Sequence, residues 1–123
     1  LGGWPMRPGN DLAMGVDAVH LILDRAGRQV DFVHIPILDN VPAEYFAPLG
    51  NLNSGGTKIY FGVIHNMNDL DDFRHKITEC TRYVDDFGVA APCGFGRYSA
   101  EEMIPVIEDH RTALTVLNEM RAN

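Results

Sequence analysis

Three observations in the sequence predict an α/β protein built on a parallel β-sheet. Three short segments, 29–38, 58–65 and 87–91, are apolar along most of their length, as buried strands are. Helix signals precede the first segment and follow each segment, so helices and strands alternate along the chain. Apolar strands joined by helices are typical of a parallel sheet covered on both faces. We therefore expect such a sheet, with both of its faces buried.

The first predicted element is a helix that precedes the first strand. Asn10 and Asp11 can cap its start, and Gly27 is a favourable residue at a helix end. Apolar residues recur on one face at helical spacing, at Leu12, Val16, Val19 and Leu23. The strand 29–38 follows, rich in β-branched and aromatic residues and closed by Pro36.

A long connection, 39–57, separates the first strand from the second. Residues 41–49, VPAEYFAPL, are compatible with one or two helical turns, and residues 51–56, NLNSGG, have the composition of a loop. Long loops that follow the strands of such folds often cover a binding site. We therefore expect this connection to lie near the mouth of a site, before the second strand at 58–65.

The second regular helix begins at Asn68 or Asp69 and is expected to continue to about Val84. Its apolar face carries Leu70, Phe73, Ile77 and either Cys80 or Thr81. Its first turn is acidic, which suits the positive end of the helix dipole and explains these residues without a bound cation: Asp69, Asp71 and Asp72.

The last helix follows the third strand, 87–91. Ser99 and Glu102 have the spacing of a capping box, which predicts a helix from there to about Arg121. Pro105 lies one turn inside this helix and is expected to bend it.

Two architectures fit this order of elements: an open doubly wound sheet and part of a (β/α)8 barrel. A complete barrel needs about 250 residues, whereas this chain has 123. Three strands would also leave an unprotected sheet edge. We therefore expect residues 1–123 to be a single partial domain, with sequence missing before Leu1.

Composition excludes several classes of function. The net charge of −7 and the scattered basic residues argue against binding nucleic acid, which needs a basic face. No apolar run approaches the roughly 20 residues that cross a membrane, and no secretory signal is visible at the start. Two cysteines, Cys80 and Cys93, do not make a disulfide framework, so we expect free thiols in the cytoplasm.

Candidate functional residues follow the three strands, because the carboxyl ends of parallel strands carry the sites of both architectures. They are His34, His65, and Cys93 with Arg97 nearby. Histidine and cysteine are common zinc ligands, and imidazole is the usual acid or base near neutral pH. Structural roles compete: a strand-end histidine often only satisfies a hydrogen bond, and Cys93 could fill space in the core. For Cys80, in the middle of a helix, core packing is the expected role.

Other common site signatures are missing. The stretch GFGR is too short for a dinucleotide fingerprint, and no G-x-G-x-x-G follows any strand. Neither a serine nucleophile elbow nor a Walker motif is present.

Four stretches resemble the carboxyl-terminal part of the cobalamin-independent methionine synthase-like proteins, whose superfamily shares its barrel with uroporphyrinogen decarboxylase. They are VDFVHIPI, AEYFAPLGNL, KIYFGVIHNMNDLDDFRHKI and DDFGVAAPCGFGR. The resemblance covers nearly the whole chain and rests mostly on His65 and on Cys93 with Gly94. It implies the carboxyl-terminal three β/α units of a TIM-type barrel and a zinc-dependent transfer of an alkyl group to a thiol.

In this resemblance Cys93 matches a cysteine zinc ligand, and His65 matches a histidine that supplies a proton to the leaving group. His34 lies on the strand that carries a glutamate ligand in methionine synthases, so it could be a ligand, a substrate contact or neither. Arg97 could hold an acidic substrate group or pair with Glu101 or Glu102; the pair is favoured slightly. The implied partners are a small-molecule thiol and an alkyl donor.

One departure from the family is the His-x-Cys pair of zinc ligands, which does not occur in these 123 residues. We therefore expect the chain alone to be inactive. Two alternatives remain open: a non-catalytic barrel relative that has lost the metal, and a metal-independent lyase of the uroporphyrinogen decarboxylase type. In the lyase, Cys93 would be a dispensable packing residue.

Overall fold

The computed structural model describes residues 10–122 and is a mixed α/β fold with a parallel sheet. Helices and strands alternate in the predicted order. In chain order the elements are α1 (Ala13–Arg25), β1 (Phe32–Pro36), a 3-10 helix (Ala43–Asn51), β2 (Lys58–Gly62), α2 (Leu70–Thr81), β3 (Phe87–Ala90) and α3 (Ala100–Ala122). None of the helices in residues 10–122 has the length and apolar character that crossing a bilayer requires.

The sheet has three parallel strands in the order β1-β2-β3, which is also their order in the chain. His34 of β1 is level with Tyr60 of β2, and Tyr60 is level with Gly88 of β3. Because level residues of parallel strands point to the same face, this register divides the side chains into two sets.

One face of the sheet packs against the helices. The strand residues on this face are buried in a single core with apolar residues of all four helices. The 3-10 helix lies between α1 and α2 and contacts both, and α2 also contacts α3. The buried residues of the strands are Val33, Ile35, Ile59, Phe61 and Phe87.

The opposite face is not covered by any element within residues 10–122, so the expectation of a sheet buried on both faces is wrong for this part of the chain. Phe32 is 61% exposed, and the side chains of His34 and Pro36 are exposed beside it. The physical reason lies in the strand order. Right-handed connections between strands that follow one another in order place every crossover on the same side of the sheet.

Local signals determine where the helices begin. The Asp11 carboxylate accepts the Ala13 N–H at 2.9 Å, and the Asp69 carboxylate accepts the Asp72 N–H at 3.0 Å. The capping box is present, because Ser99 N–H donates to Glu102 and Glu102 N–H donates to the Ser99 hydroxyl. α3 begins at Ala100, directly after Ser99.

Helix ends agree less closely with the sequence pattern. Gly27 has a φ of +67°, as expected for a residue that ends a helix. α2 ends at Thr81 rather than near Val84. The Tyr83 and Val84 amides both donate to the Cys80 carbonyl, so the last turn tightens before the chain enters β3. α3 continues through Pro105, and its expected bend there stays a prediction.

Candidate active site

The residues that follow the three strands lie at one edge of the sheet, because all three strands run in the same direction. Asp39 follows β1, His65 follows β2 and Cys93 follows β3. This edge therefore brings together a carboxylate, an imidazole and a thiol, which are groups capable of acid–base or nucleophilic chemistry.

His65 and Asp39 form the central contact of this edge. The Nδ1 atom of His65 lies 2.5 Å from Oδ2 of Asp39. The His65 side chain is 53% exposed and that of Asp39 is 21% exposed, so the pair lies at the boundary between protein and solvent. An imidazole held by a carboxylate and open to solvent has the arrangement of a general acid or base.

The backbone turns sharply after each member of this pair. Asn40 and Asn66 are the residues other than glycine with positive φ in residues 10–122, at 56° and 49°. Asparagine tolerates this left-handed conformation better than most residues. Each of the two asparagines thus changes the direction of the backbone directly after one member of the pair.

Lys76 holds Asp39 in place from the buried side of the site. Its side chain is only 1% exposed, and its ammonium group donates a short hydrogen bond to Oδ1 of Asp39. It also lies 3.4 Å from Oδ2 of Asp72, one turn earlier on α2. A buried ammonium is tolerated when carboxylates surround it, and two are present here.

The start of the long loop is tied to α2 by two further contacts. The Asn40 amide donates to the Asp72 carboxylate at 3.2 Å. The Nε2 atom of His75 donates to the Val41 carbonyl at 2.8 Å. These bonds fix the backbone immediately after Asp39, so its carboxylate has little freedom to leave His65.

Asp39 is ionised near neutral pH. Burial raises the pKa of its carboxyl group, but hydrogen bonds from Lys76 and His65 and the charges of those groups outweigh burial and lower the pKa below its usual 3.8. An ionised carboxylate only accepts hydrogen bonds, so Nδ1 of His65 must carry the proton that lies between them.

His34 is held differently from His65. Its ring lies over Gly62 on the uncovered face of the sheet, and Nε2 donates to the Ala91 carbonyl at 2.8 Å. A carbonyl oxygen only accepts, so the lone pair of the neutral ring lies on Nδ1. The structure thus places His34 against the end of β3, two residues before Cys93, rather than in contact with Asp39.

Cys93 and Arg97 are both exposed. The pair expected between Arg97 and Glu101 or Glu102 is not formed: Arg97 has no ion pair within residues 10–122, and Glu102 instead accepts the Ser99 amide. Glu102 is drawn to the start of α3 because it completes the capping box there. Arg97 therefore remains a candidate contact for an acidic group of a substrate.

Cys80 is fully buried in the core, as expected from its place on the apolar face of α2. Burial raises the pKa of its thiol to about 12, and the neighbouring charge of Glu79 adds to the effect. A thiol of this kind is inert near neutral pH.

The side chains in residues 10–122 do not fit a zinc site by themselves. No group of three His, Cys, Asp or Glu side chains in this range is arranged to hold a metal ion. A protein zinc site needs three or four ligands of this kind. Cys93 is at most one of them, and the described part of the chain contains no set of three ligands that includes it.

Sequence reasoning did not single out Asp39 and Lys76. Asp39 comes directly after an apolar strand, which is the same signal that pointed to His65. Lys76 follows Asp72 at the i, i+4 spacing of a helical ion pair. Their contact joins positions 37 residues apart, which neither signal foretells.

Comparison of the chain with protein-family models, with curated proteins and with solved structures finds no match.

Proposed function

We propose that the chain is the carboxyl-terminal part of a (β/α)8 barrel enzyme, similar to the cobalamin-independent methionine synthase-like proteins, that transfers an alkyl group to a small-molecule thiol. His65 is the proposed acid–base residue. The observation that carries this proposal is the contact of His65 with the ionised Asp39 at the carboxyl edge of the sheet. Acid–base groups of barrel enzymes lie at that edge.

The topology supports a barrel over an open doubly wound sheet. In a barrel, strands follow one another in chain order and every helix lies outside. The strands here have the order β1-β2-β3, and their buried side chains share one core with the helices. A doubly wound sheet instead reverses its strand order and carries helices on both faces. The uncovered face, with His34 and Tyr60, corresponds to the interior of the proposed barrel.

The proposed reaction requires one proton transfer that His65 can perform. The substrate thiol first gives its proton to solvent. The thiolate sulfur then forms a bond to the alkyl carbon, and the bond from that carbon to its donor atom breaks. The donor atom leaves with the electron pair and takes a proton from the imidazolium of His65, which becomes neutral. His34 and Arg97 are proposed substrate contacts, since both are exposed, His34 on the uncovered face of the sheet and Arg97 in the loop that follows β3.

Zinc belongs to the proposal only with ligands from outside the described residues. Cys93 is the proposed ligand within this chain, and its thiol is free and exposed. The chain alone is therefore proposed to be inactive. Both cysteines are free, which agrees with the reducing cytoplasm we propose as its location.

The test uses the longest natural chain that contains these residues, assayed with methyltetrahydrofolate and homocysteine and with an epoxide and coenzyme M. His65→Gln removes the proton donor and is expected to lower kcat by about 10²–10⁴-fold. His110→Gln is the matched control, since His110 lies on α3, hydrogen-bonds to the Val106 carbonyl of its own helix and packs its ring against Phe95. Turnover by His65→Gln equal to that of the unaltered protein would refute the role of His65.

A metal-independent lyase of the uroporphyrinogen decarboxylase type is the second candidate. Such a lyase needs no metal ligands, so it does not require a three-ligand group in residues 10–122. Cys93→Ser separates the two functions: the transferase loses zinc and activity, whereas the lyase keeps its turnover. A protein with neither activity and no bound zinc would be the non-catalytic barrel relative.

A further inference from the structure

We infer that Asp39 is a positioning residue, which keeps the proton of neutral His65 on Nδ1 and thereby assigns the acid–base chemistry to Nε2. The geometric part of this inference is independent of the reaction. Its catalytic part rests on the function proposed above, since it concerns the same histidine.

The two oxygens of Asp39 have separate partners. Oδ1 accepts from the Lys76 ammonium, and Oδ2 lies 2.5 Å from Nδ1 of His65. Without such a neighbour, either nitrogen of a neutral imidazole can carry the proton. Because a carboxylate is an acceptor only, the contact at Oδ2 selects the form with Nδ1–H.

Lys76 strengthens the preference for the Nδ1–H tautomer of His65, because it determines which oxygen of Asp39 faces the ring. The Lys76 ammonium can only donate hydrogen bonds, so its partner on the side chain of residue 39 must be an oxygen atom. It is almost completely buried and is held in place by Asp72, at 3.4 Å. Oδ1 of Asp39 is therefore committed to Lys76, and only Oδ2 is left to face the histidine ring.

The backbone prevents Asp39 from turning away. The next residue, Asn40, has a φ of 56° and donates its amide to Asp72, and Val41 accepts from His75. The segment 39–41 is thus tied to α2 at three places: Lys76 bonds to the carboxylate, Asp72 to the Asn40 amide and His75 to the Val41 carbonyl. A group held this firmly orients the His65 ring before any substrate arrives.

For catalysis, this means that one particular nitrogen of His65, Nε2, transfers the proton. When imidazolium gives up its proton to a leaving atom, the proton comes from Nε2, and Nδ1–H stays bonded to Asp39. The ring is then neutral with its lone pair on Nε2, ready to take the next proton. If Asp39 did not select the tautomer, part of the enzyme would carry its remaining proton on the wrong nitrogen.

The direct test is ¹⁵N NMR of the imidazole side chains in the 123-residue chain. The expected spectrum shows His65 as the Nδ1–H form and His34 as the Nε2–H form, because His34 donates from Nε2 to Ala91. The two histidines thus serve as references for each other in one spectrum. His65 observed as the Nε2–H form would overturn the inference without any variant.

Asp39→Asn provides the second test. The single oxygen of the new amide is required by Lys76, so its NH₂ group faces His65 and needs an acceptor there. We expect His65 to change to the Nε2–H form while His34 is unchanged, which also reports that the fold persists. Asp31→Asn is the control, since Asp31 is exposed at the other end of β1. A variant in which His65 keeps Nδ1–H would contradict the inference.

Kinetics then separate the inference from the proposed function. In the active full-length protein, Asp39→Asn is expected to lower kcat by about 10²-fold or more with KM little changed, as loss of correct acid–base catalysis does. If the tautomer changes but neither Asp39→Asn nor His65→Gln alters turnover, the positioning inference stands and the proposed function fails. If only His65→Gln is inactive and the His65 tautomer is the same with and without Asp39, the proposed function stands and the positioning inference fails.

Discussion

A buried ammonium group is costly unless carboxylates neutralise it, and Lys76 has two of them. The Asp39 and Asp72 side chains are only 21% and 11% exposed, so water screens these charges less than it would at an open surface. Within this network the lysine is the common partner of both acids. At the scale of single residues, the buried Lys76 ammonium therefore holds the carboxylates of the site in place. His65 is the member of this network that is exposed to solvent.

The two cysteines illustrate how environment decides the behaviour of identical side chains. Cys80 is fully buried, and its thiol pKa is raised to about 12 by burial. Cys93 is exposed at the end of β3. Reaction with a thiol reagent needs both a thiolate and access, so only Cys93 meets the second condition.

This contrast predicts thiol reactivity. In the native chain one thiol, that of Cys93, is expected to react rapidly with an aromatic disulfide reagent, and Cys80 is expected to react only after unfolding in denaturant. Cys93→Ser should abolish the rapid phase, and Cys80→Ala should leave it unchanged. Measuring released thiolate against time decides the matter; two equally rapid thiols in the native chain would contradict the burial of Cys80.

At the scale of elements, glycines permit close approach on the uncovered face of the sheet. The His34 ring lies over Gly62, and the Tyr60 ring lies over Gly88 so closely that no side-chain carbon would fit there. In both cases a large side chain of one strand occupies the space above a glycine of the next strand. This arrangement keeps His34 in reach of the Ala91 carbonyl.

Substitution of Gly62 is expected to disturb this packing. An alanine Cβ would lie 2.8 Å from Nε2 of His34 and 2.8 Å from Cα of Pro92, and the latter is backbone that cannot move alone. Gly62→Ala should lower the free energy of unfolding by about 1–3 kcal/mol.

Gly96→Ala is the matched control for this substitution, because nothing lies within 4 Å of its added Cβ. Its unfolding free energy should stay within about 0.5 kcal/mol of the unaltered chain. Urea denaturation of the three proteins gives the comparison. Equal stability of Gly62→Ala and Gly96→Ala would show that His34 does not pack over Gly62.

At the scale of the whole molecule, the charge network links stability to pH. The pKa of Asp39 is lower in the folded chain than its usual 3.8, because hydrogen bonds from Lys76 and His65 outweigh the opposite effect of burial. A lowered carboxyl pKa stabilises the fold above the unfolded value, and this stabilisation is lost as pH falls through the folded pKa. Among the described residues, Lys76 and His65 contact the Asp39 carboxylate, and Asp72 and His75 contact the backbone that follows it.

Asp39→Asn is therefore expected to lower the free energy of unfolding above about pH 5 and to do so less and less toward about pH 2. The measurement is urea denaturation of both proteins across this range. Asp31→Asn is again the control, since Asp31 is exposed. A destabilisation by Asp39→Asn that is the same at all these pH values would show that its ionisation is not linked to folding.

Parts of the fold could be predicted from the sequence because their causes are local. Asp69 and the Ser99–Glu102 pair bond to amides three residues away, so a short stretch contains the whole signal. One or two helical turns were expected within residues 41–49, and the 3-10 helix at Ala43–Asn51 forms there without a side-chain cap. The uncovered face could not be predicted, because it depends on where the helices lie after the strands have paired.

In the candidate site, too, some features could be predicted from the sequence and others could not. The positions of His65 and Cys93 after their strands follow from chain direction alone. The engagement of His34 with Ala91, and the loss of the expected Arg97 pair, depend on neighbours that the sequence does not identify. Zinc binding, the thiol substrate and the barrel itself stay proposals with the tests given above.

By itself, the sequence determined the alternation of helices and strands, the parallel sheet and the residues that begin each helix. These features depend on hydrophobic periodicity and on hydrogen bonds between near neighbours. Only the tertiary structure decided that Asp39 bonds to both His65 and Lys76, which are 26 and 37 residues further along the chain. Such contacts exist only once strands have paired and α2 has docked, because their geometry depends on the packing of the whole chain.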